Sequence, residues 1–154
     1  MRTLKLVSRH FELRKVPISR KWGIHVEEVR YHFGASLVLS IISGKWKPSI
    51  ICELDEGACR YNELHEQLNQ HNAHPISQKV LTEQLRQLEE DLIVTRTSYN
   101  TVPPKVVYSL TPYGSRLHQF LVEMTKLGEE LAPHLAKAGA PIEFDYHYQE
   151  MIHH

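Results

Sequence analysis

The chain has 154 residues, of which 42% are hydrophobic, and it carries 18 basic and 18 acidic side chains. This length and apolar content suit a single domain with extensions and supply enough material for a core. No apolar run approaches the ~20 residues that cross a bilayer, which argues against a membrane protein. Two cysteines do not make a disulfide framework, so we expect a cytoplasmic location.

Residues 1–34 are basic, whereas the rest of the chain is acidic. The first segment holds 8 Lys or Arg and 3 Asp or Glu, and residues 35–154 hold 10 and 15. The basic content suits an arm that follows phosphates, and a disordered extension fits it equally well. The segment lacks the continuous apolar run and cleavage site of a secretory signal, although a presequence is a further alternative.

Three helices are predicted in the next part of the chain. Residues 36–43 form a short helix rich in apolar side chains. The second helix starts at Trp46, with Pro48 in its first turn and Gly57 after its end. Asn62 is expected to cap the third helix, whose leucines face inward.

Residues 77–91 predict an amphipathic helix. Leu81, Leu85 and Leu88 are spaced four and three apart, so they share one face and become buried. The other face is polar and can hydrogen-bond base edges or phosphates. An ordinary solvated helix face is the alternative. The polar positions are Ser77, Gln78, Lys79, Thr82 and Arg86.

Two short strands, 94–99 and 105–110, follow this helix. The segment between them contains two prolines, which restrict the backbone and indicate a tight turn or loop. An exposed polar helix followed by a β-hairpin is typical of a winged helix-turn-helix, in which the helix enters the major groove. We expect Arg96 and Lys105, on the two strands, to contact phosphates. The predicted fold class is mainly α with a small β-hairpin (α+β), with flanking dimerisation helices.

Thr111 and Pro112 are expected to begin a final helix, as N-cap and first helical residue. Its apolar residues alternate at spacings of four and three, which is the pattern of a coiled-coil seam. Packing within its own domain is the alternative, but a small winged domain leaves little core to cover so long a stripe. We therefore expect a homodimer, which implies an inverted-repeat operator. The seam consists of Tyr113, Leu117, Phe120, Met124, Leu127 and Leu131.

The chain resembles the HxlR-type bacterial transcriptional regulators over about residues 36–131. The matching segments occur in the order of that family, at 43–46, 60–64, 76–82, 85–91 and 102–114. The resemblance implies a cytoplasmic homodimer that binds double-stranded DNA near a promoter, often in response to a reactive chemical or redox signal. It divides the chain into a basic N-terminal extension (1–34), a DNA-binding domain with its dimerisation helix (35–136) and a C-terminal tail (137–154).

Three features depart from the family pattern. Many members carry a sensing cysteine upstream of the Gly44–Trp46 segment, where this chain has Phe33 and no cysteine. The family favours glycine after the recognition helix, where this chain has Leu92. A leucine there either takes a costly positive φ or ends the helix differently. Residues 69–74 also lengthen the turn before that helix.

Cys59 is the candidate redox thiol, because the neighbouring Arg60 is expected to lower its pKa. An inert cysteine is the alternative, and Cys52 is expected to be a small core residue. No particular effector follows from the sequence.

No cofactor, metal site or enzymatic activity is predicted. His65, His71 and His74 could share a zinc ion, but no cysteine or carboxylate nearby completes a convincing ligand set. We find no glycine-rich phosphate loop and no nucleophile motif. The predicted function is sequence-specific transcriptional regulation. The acidic body keeps open an alternative, a protein-interaction module of the same fold that does not bind DNA.

Overall fold

The computed structural model describes residues 30–70, 74–136 and 142–144. The predictions for most of the N-terminal extension and the C-terminal tail therefore lie outside the described residues. Within the described part, no helix is both long and apolar enough to span a membrane. The elements in chain order are α1 (Gly34–Ile41), α2 (Trp46–Asp55), β1 (Cys59–Arg60), α3 (Tyr61–Gln70), α4 (Gln78–Glu90), β2 (Val94–Tyr99), β3 (Lys105–Leu110) and α5 (Pro112–Ala136).

The structure combines five helices with a small antiparallel sheet in the described residues, so the predicted α+β class is confirmed. The strand order is β1-β3-β2. Strands β2 and β3 pair along their whole length, from Val94 opposite Leu110 to Tyr99 opposite Lys105. Strand β1 pairs with the other edge of β3 and was not predicted, because two residues are too few to show an alternating pattern.

The core lies where α2, α3 and α4 meet the base of the sheet. The three leucines predicted to face inward from α4 are 0–1% exposed. Burial of these branched side chains, each contributing roughly 1.5–3 kcal/mol, fixes the face that α4 turns to the core. The largest fully buried side chains are Ile50, Ile51, Leu64, Leu68, Leu81, Leu85, Leu88 and Val94.

Helix α3 begins at Tyr61, two residues before the start that a cap at Asn62 would give. The Arg60 backbone N–H donates to Glu63 Oε2 at 2.7 Å, which is the reach-back bond of a capping box. The prediction that Asn62 caps this helix is therefore wrong. The decisive signal was the acid three positions after Arg60.

Two of the later helices begin at a hydroxyl side chain, and of these two caps the one at Thr111 was predicted and is confirmed. The Ser77 hydroxyl accepts the Val80 N–H of α4 at 3.3 Å, and the Thr111 hydroxyl accepts the Gly114 N–H of α5 at 3.1 Å. Thr111 also donates to the Leu92 carbonyl at 2.6 Å. The start of α5 is thereby attached to the end of α4.

The end of α4 is a Schellman motif with leucine in place of glycine. Leu92 has φ +62°. Its N–H donates to the Glu89 carbonyl, and the Ile93 N–H donates to the Leu88 carbonyl, which is the bonding pattern of that motif. Ile93 and Leu88 are both buried, so the apolar contact that accompanies the motif is available. Of the two endings considered for Leu92, the chain therefore adopts the one with positive φ.

Two contacts between polar side chains connect α2 to its neighbours. Lys47 Nζ, on a buried side chain, lies 3.7 Å from Asp91 Oδ2 at the end of α4. Burial raises the pKa of the Asp91 carboxyl, and Lys47 acts in the opposite direction. His118 Nδ1 of α5 lies 2.8 Å from Asp55 Oδ2. These pairs hold α4 and α5 against α2.

Candidate nucleic-acid interface

A tyrosine joins the first turns of α3 and α4. The Tyr61 hydroxyl donates to the Gln78 carbonyl at 2.8 Å and lies 3.1 Å from Thr82 Oγ1. Its ring lies parallel to the imidazole of His65, with the ring centroids 6.3 Å apart. Sequence reasoning missed Tyr61, because the pairing depends on how the two helices cross.

The turn between these helices is closed by a second polar cluster. Asn69 Oδ1 accepts the Ile76 N–H at 2.7 Å, and His65 Nε2 lies 2.9 Å from the Ile76 carbonyl oxygen. The lengthened turn is thus still attached to α3 at its far end. His65 therefore contacts the backbone of this turn. The described residues contain no group of three potential metal ligands. His71 lies outside the described residues.

The polar face of α4 is exposed, as predicted. Ser77 and Arg86 are exposed at its two ends, with Ser77 acting as the cap. Between them, a surface depression of about 620 Å³ is lined by side chains of α4 and α3. Its lining residues are Tyr61, Gln78, Lys79, Thr82 and Glu83.

Arg86 is bound by two acids of its own helix. Its Nη2 lies 2.8 Å from Glu83 Oε1, and its Nη1 donates to Glu90. The Glu83 hydrogen bond, followed by the charges of both acids, raises the Arg86 pKa. Glu90 lies at the end of α4, and a spacing of four residues brings it beside Arg86.

The two wing cations are exposed but lie on opposite faces of the hairpin. Lys105 is paired with Tyr99 and Arg96 with Tyr108. Side chains alternate between the faces of a strand, so Lys105 shares its face with Thr97 rather than with Arg96. Lys105 Nζ lies 5.5 Å from the centre of the Tyr99 ring. The β2–β3 hairpin thus carries one of these two cations on each face.

Strand β1 adds a cation that the sequence did not suggest. Arg60 is exposed and is paired with Val107 of β3, which places it on the face of Lys105 by the same alternation. Only the pairing of β1 with β3 brings Arg60 to the wing.

Comparison with known proteins decides the family. The model of the HxlR-like helix-turn-helix family matches residues 41–136. The chain belongs to this family. It is 42% identical over 96 residues to the uncharacterized HTH-type transcriptional regulator YtcD of Bacillus subtilis (strain 168), a match covering 62% of this chain and 72% of the relative.

Solved structures agree with this assignment. The redox regulator HypR in its oxidized form is 40% identical, with a TM-score of 0.54, over 62% of this chain and 94% of that one. A regulator of the MarR family from Enterococcus faecalis V583 is 38% identical, with a TM-score of 0.60, over 74% and 99%. This HxlR-like chain is therefore a winged-helix, DNA-binding transcriptional regulator and not an enzyme.

The predicted apolar seam on α5 is exposed except at one position. Leu117 is 8% exposed and packs in the core of its own chain. The prediction that all six residues form one intermolecular seam is therefore wrong for Leu117, because it falls on the side that meets α2 and the sheet. The exposed members are Tyr113, Phe120, Met124, Leu127 and Leu131, between 38% and 64% exposed.

The cysteines of this HxlR-like protein have raised thiol pKa values. Burial, followed by the charges of Glu63 and Glu53, raises the pKa of Cys59 to about 11. The expectation that Arg60 would lower this pKa is wrong, because burial and two acids dominate. Burial also raises the pKa of Cys52 to about 12.

Proposed function

We propose that the protein acts as a homodimer on an inverted-repeat operator. Helix α4 of each protomer enters the major groove, and each wing lies along the neighbouring backbone. The observation that carries this proposal is the exposed polar face of α4, held by Tyr61 and followed by a wing with cations on both faces. Such an arrangement supplies base contacts from the helix and phosphate contacts from the hairpin.

We also propose that three parts of the chain have different roles. Residues 35–136 form the DNA-binding and dimerisation domain, residues 1–34 a basic extension and residues 137–154 a tail. The net charge of +5 on residues 1–34 favours phosphate contacts by this extension. A cytoplasmic location belongs to the same proposal.

Dimerisation is supported by apolar surface on two helices. The exposed seam of α5 is accompanied on α1 by Leu37 and Leu39, which are 40% and 44% exposed. Large exposed apolar patches usually mark an interface. A two-fold interface would relate the two α4 helices by a dyad, which is the symmetry that an inverted repeat requires.

A second candidate function is protein interaction without specific DNA binding. It is favoured by the net charge of −5 on residues 35–154 and by the two acids that bind Arg86. Specific and non-specific DNA binding both depend on uncompensated cations. The two functions therefore differ in the salt dependence that they predict.

Selection from a random duplex library tests the proposal. We expect the full chain to enrich two half-sites related by a dyad and to bind with two protomers per duplex. The affinity should fall steeply as salt rises. A protein that enriches no sequence and whose weak DNA binding is insensitive to salt would favour the protein-interaction function instead.

Substitutions on α4 then test the interface residue by residue. We expect Gln78→Ala to weaken operator binding by ~1–3 kcal/mol, measured by fluorescence anisotropy. Arg86→Ala should lie near the lower end, at about 1 kcal/mol, because Arg86 must leave a carboxylate to contact DNA. Glu90→Gln removes one of these carboxylates and should act in the opposite direction, strengthening binding. Wild-type affinity in all three variants would exclude this face of α4.

A further inference from the structure

We infer that the Tyr61 hydroxyl makes Thr82 a hydrogen-bond acceptor toward DNA. Thr82 would then select adenine or cytosine on the strand that it contacts, because these bases offer an exocyclic amino group in the major groove. The inference rests on the proposed DNA-binding face of α4 and adds to it a specificity-determining residue and a positioning residue.

The first step concerns the single proton of the Tyr61 hydroxyl. Its oxygen lies 2.8 Å from the carbonyl oxygen of Gln78. A carbonyl oxygen can only accept a hydrogen bond. Two oxygens this close repel each other unless a proton lies between them, so the Tyr61 proton points at Gln78.

The second step follows from the first. Tyr61 also lies 3.1 Å from Thr82 Oγ1, and either hydroxyl is chemically able to donate in that pair. The tyrosine has no second proton, so Thr82 is the donor. The one hydroxyl proton of Thr82 is thus directed at Tyr61, and only lone pairs remain for another partner.

The position of Thr82 makes this orientation relevant to base recognition. Thr82 is exposed and lines the depression on α4. The neighbouring Glu83 is also an acceptor, but its Oε1 already accepts from Arg86 and from Gln87, at 2.8 and 2.7 Å. Thr82 therefore differs from Glu83, because its hydroxyl oxygen carries no charge and no bonded cation, and from the Gln78 side-chain amide, which can both donate and accept. The Thr82 oxygen attracts the amino groups of adenine and cytosine and repels the oxygens of thymine and guanine.

Tyr61→Phe tests this orientation with little change to the fold. The variant keeps the ring that lies parallel to His65 and removes only the hydroxyl. Thr82 could then rotate and donate or accept equally. The base preference should relax at one position of each half-site, whereas the loss of a merely structural brace would weaken binding to all sequences alike.

The experiment is selection from a random duplex library with the full-length wild type and three variants. We expect the wild type to prefer adenine or cytosine by about tenfold at one position, and Tyr61→Phe to reduce this to about twofold. Thr82→Val removes the acceptor and should lose the preference at the same position. Thr82→Ser retains the hydroxyl and should therefore keep the base preference of the wild type.

The possible failures are distinguishable. A clear wild-type operator with an unchanged preference in Tyr61→Phe overturns this inference and leaves the proposed function standing. A uniform loss of affinity for all sequences in Tyr61→Phe overturns the inference in the same way. A wild type that enriches no sequence overturns the proposed function, and this inference with it.

Discussion

Leu92 occupies a position at which a side chain is unfavourable and makes little contact. Its φ is +62°, and it is 64% exposed. A left-handed conformation costs a residue other than glycine roughly 1–2 kcal/mol, and part of any gain from glycine is lost to the greater freedom of the unfolded chain. We expect Leu92→Gly to raise the free energy of unfolding by about 0.5–1 kcal/mol, measured by urea denaturation.

Leu92→Ala is the matched control for this prediction. It removes the same exposed side chain but retains Cβ, so it should bring no comparable gain. Equal stability of the glycine and alanine variants would show that the backbone conformation of Leu92 carries no strain.

The raised pKa of Cys59 predicts a slow thiol at neutral pH. A shift from the ordinary 9.0 to about 11 lowers the thiolate fraction at pH 7.5 by about 100-fold, because each unit is a factor of ten. Alkylation of Cys59 by iodoacetamide, followed by mass spectrometry, should be slower than that of free cysteine by about this factor. The rate should rise until the pH exceeds the pKa.

Two variants isolate the cause. Cys52→Ser leaves Cys59 as the only thiol, so that its rate is measured alone. Glu63→Gln removes one of the charges that raise the pKa and should speed the reaction. An alkylation rate equal to that of free cysteine at pH 7.5 would support Cys59 as a redox-sensing thiol.

At the scale of an element, the wing should contribute affinity rather than sequence preference. Arg96 and Lys105 lie on opposite faces, so we expect them to contact different phosphates and to act independently. Each alanine substitution should weaken binding to all sequences and reduce the slope of log K against log salt by about one. The double variant should reduce the slope by about two, measured by anisotropy at several salt concentrations.

Lys126→Ala is the matched control for the wing, since Lys126 lies near the middle of α5 and outside the proposed DNA interface. Its removal should leave the slope unchanged. An altered preference at one base pair in either wing variant, with the salt slope intact, would show that the wing reads sequence.

For the whole molecule, the decisive property is the oligomeric state. Phe120 and Leu127 lie in the exposed part of the α5 seam, and their side chains are 51% and 55% exposed in the single chain. The double substitution Phe120→Glu with Leu127→Lys places charges at these two positions. Burying unpaired charges across an interface costs several kcal/mol, which is enough to dissociate a small dimer. We expect light scattering at micromolar concentration to show a dimer for the wild type and a monomer for the variant.

Operator binding should fall with the loss of the dimer by much more than one contact explains, because two half-sites must be engaged together. Gln119→Glu is the control, a charge added at an exposed position beside the seam. A monomeric wild type would contradict the dimer and the inverted repeat together.

Local patterns in the sequence were sufficient for most of the secondary structure. The leucine spacing of α4, the bounds of β2 and β3 and the Thr111–Pro112 start of α5 agree with the structure. Each depends on residues within one or two turns, or on alternation along one strand, so it is encoded before the chain folds. The polar face of α4 follows from the same periodicity.

The sequence by itself thus determined the helix that presents the polar face and the hairpin beside it. Tertiary structure decided which of these side chains are available. It places the Tyr61 hydroxyl beside Thr82 and pairs β1 with β3. It also buries Leu117 in the core of the same chain and places two acids near Cys59. These contacts join residues from different elements, or depend on burial that the whole fold creates. The spacing of residues along the chain does not predict these contacts, because they depend on how the elements pack.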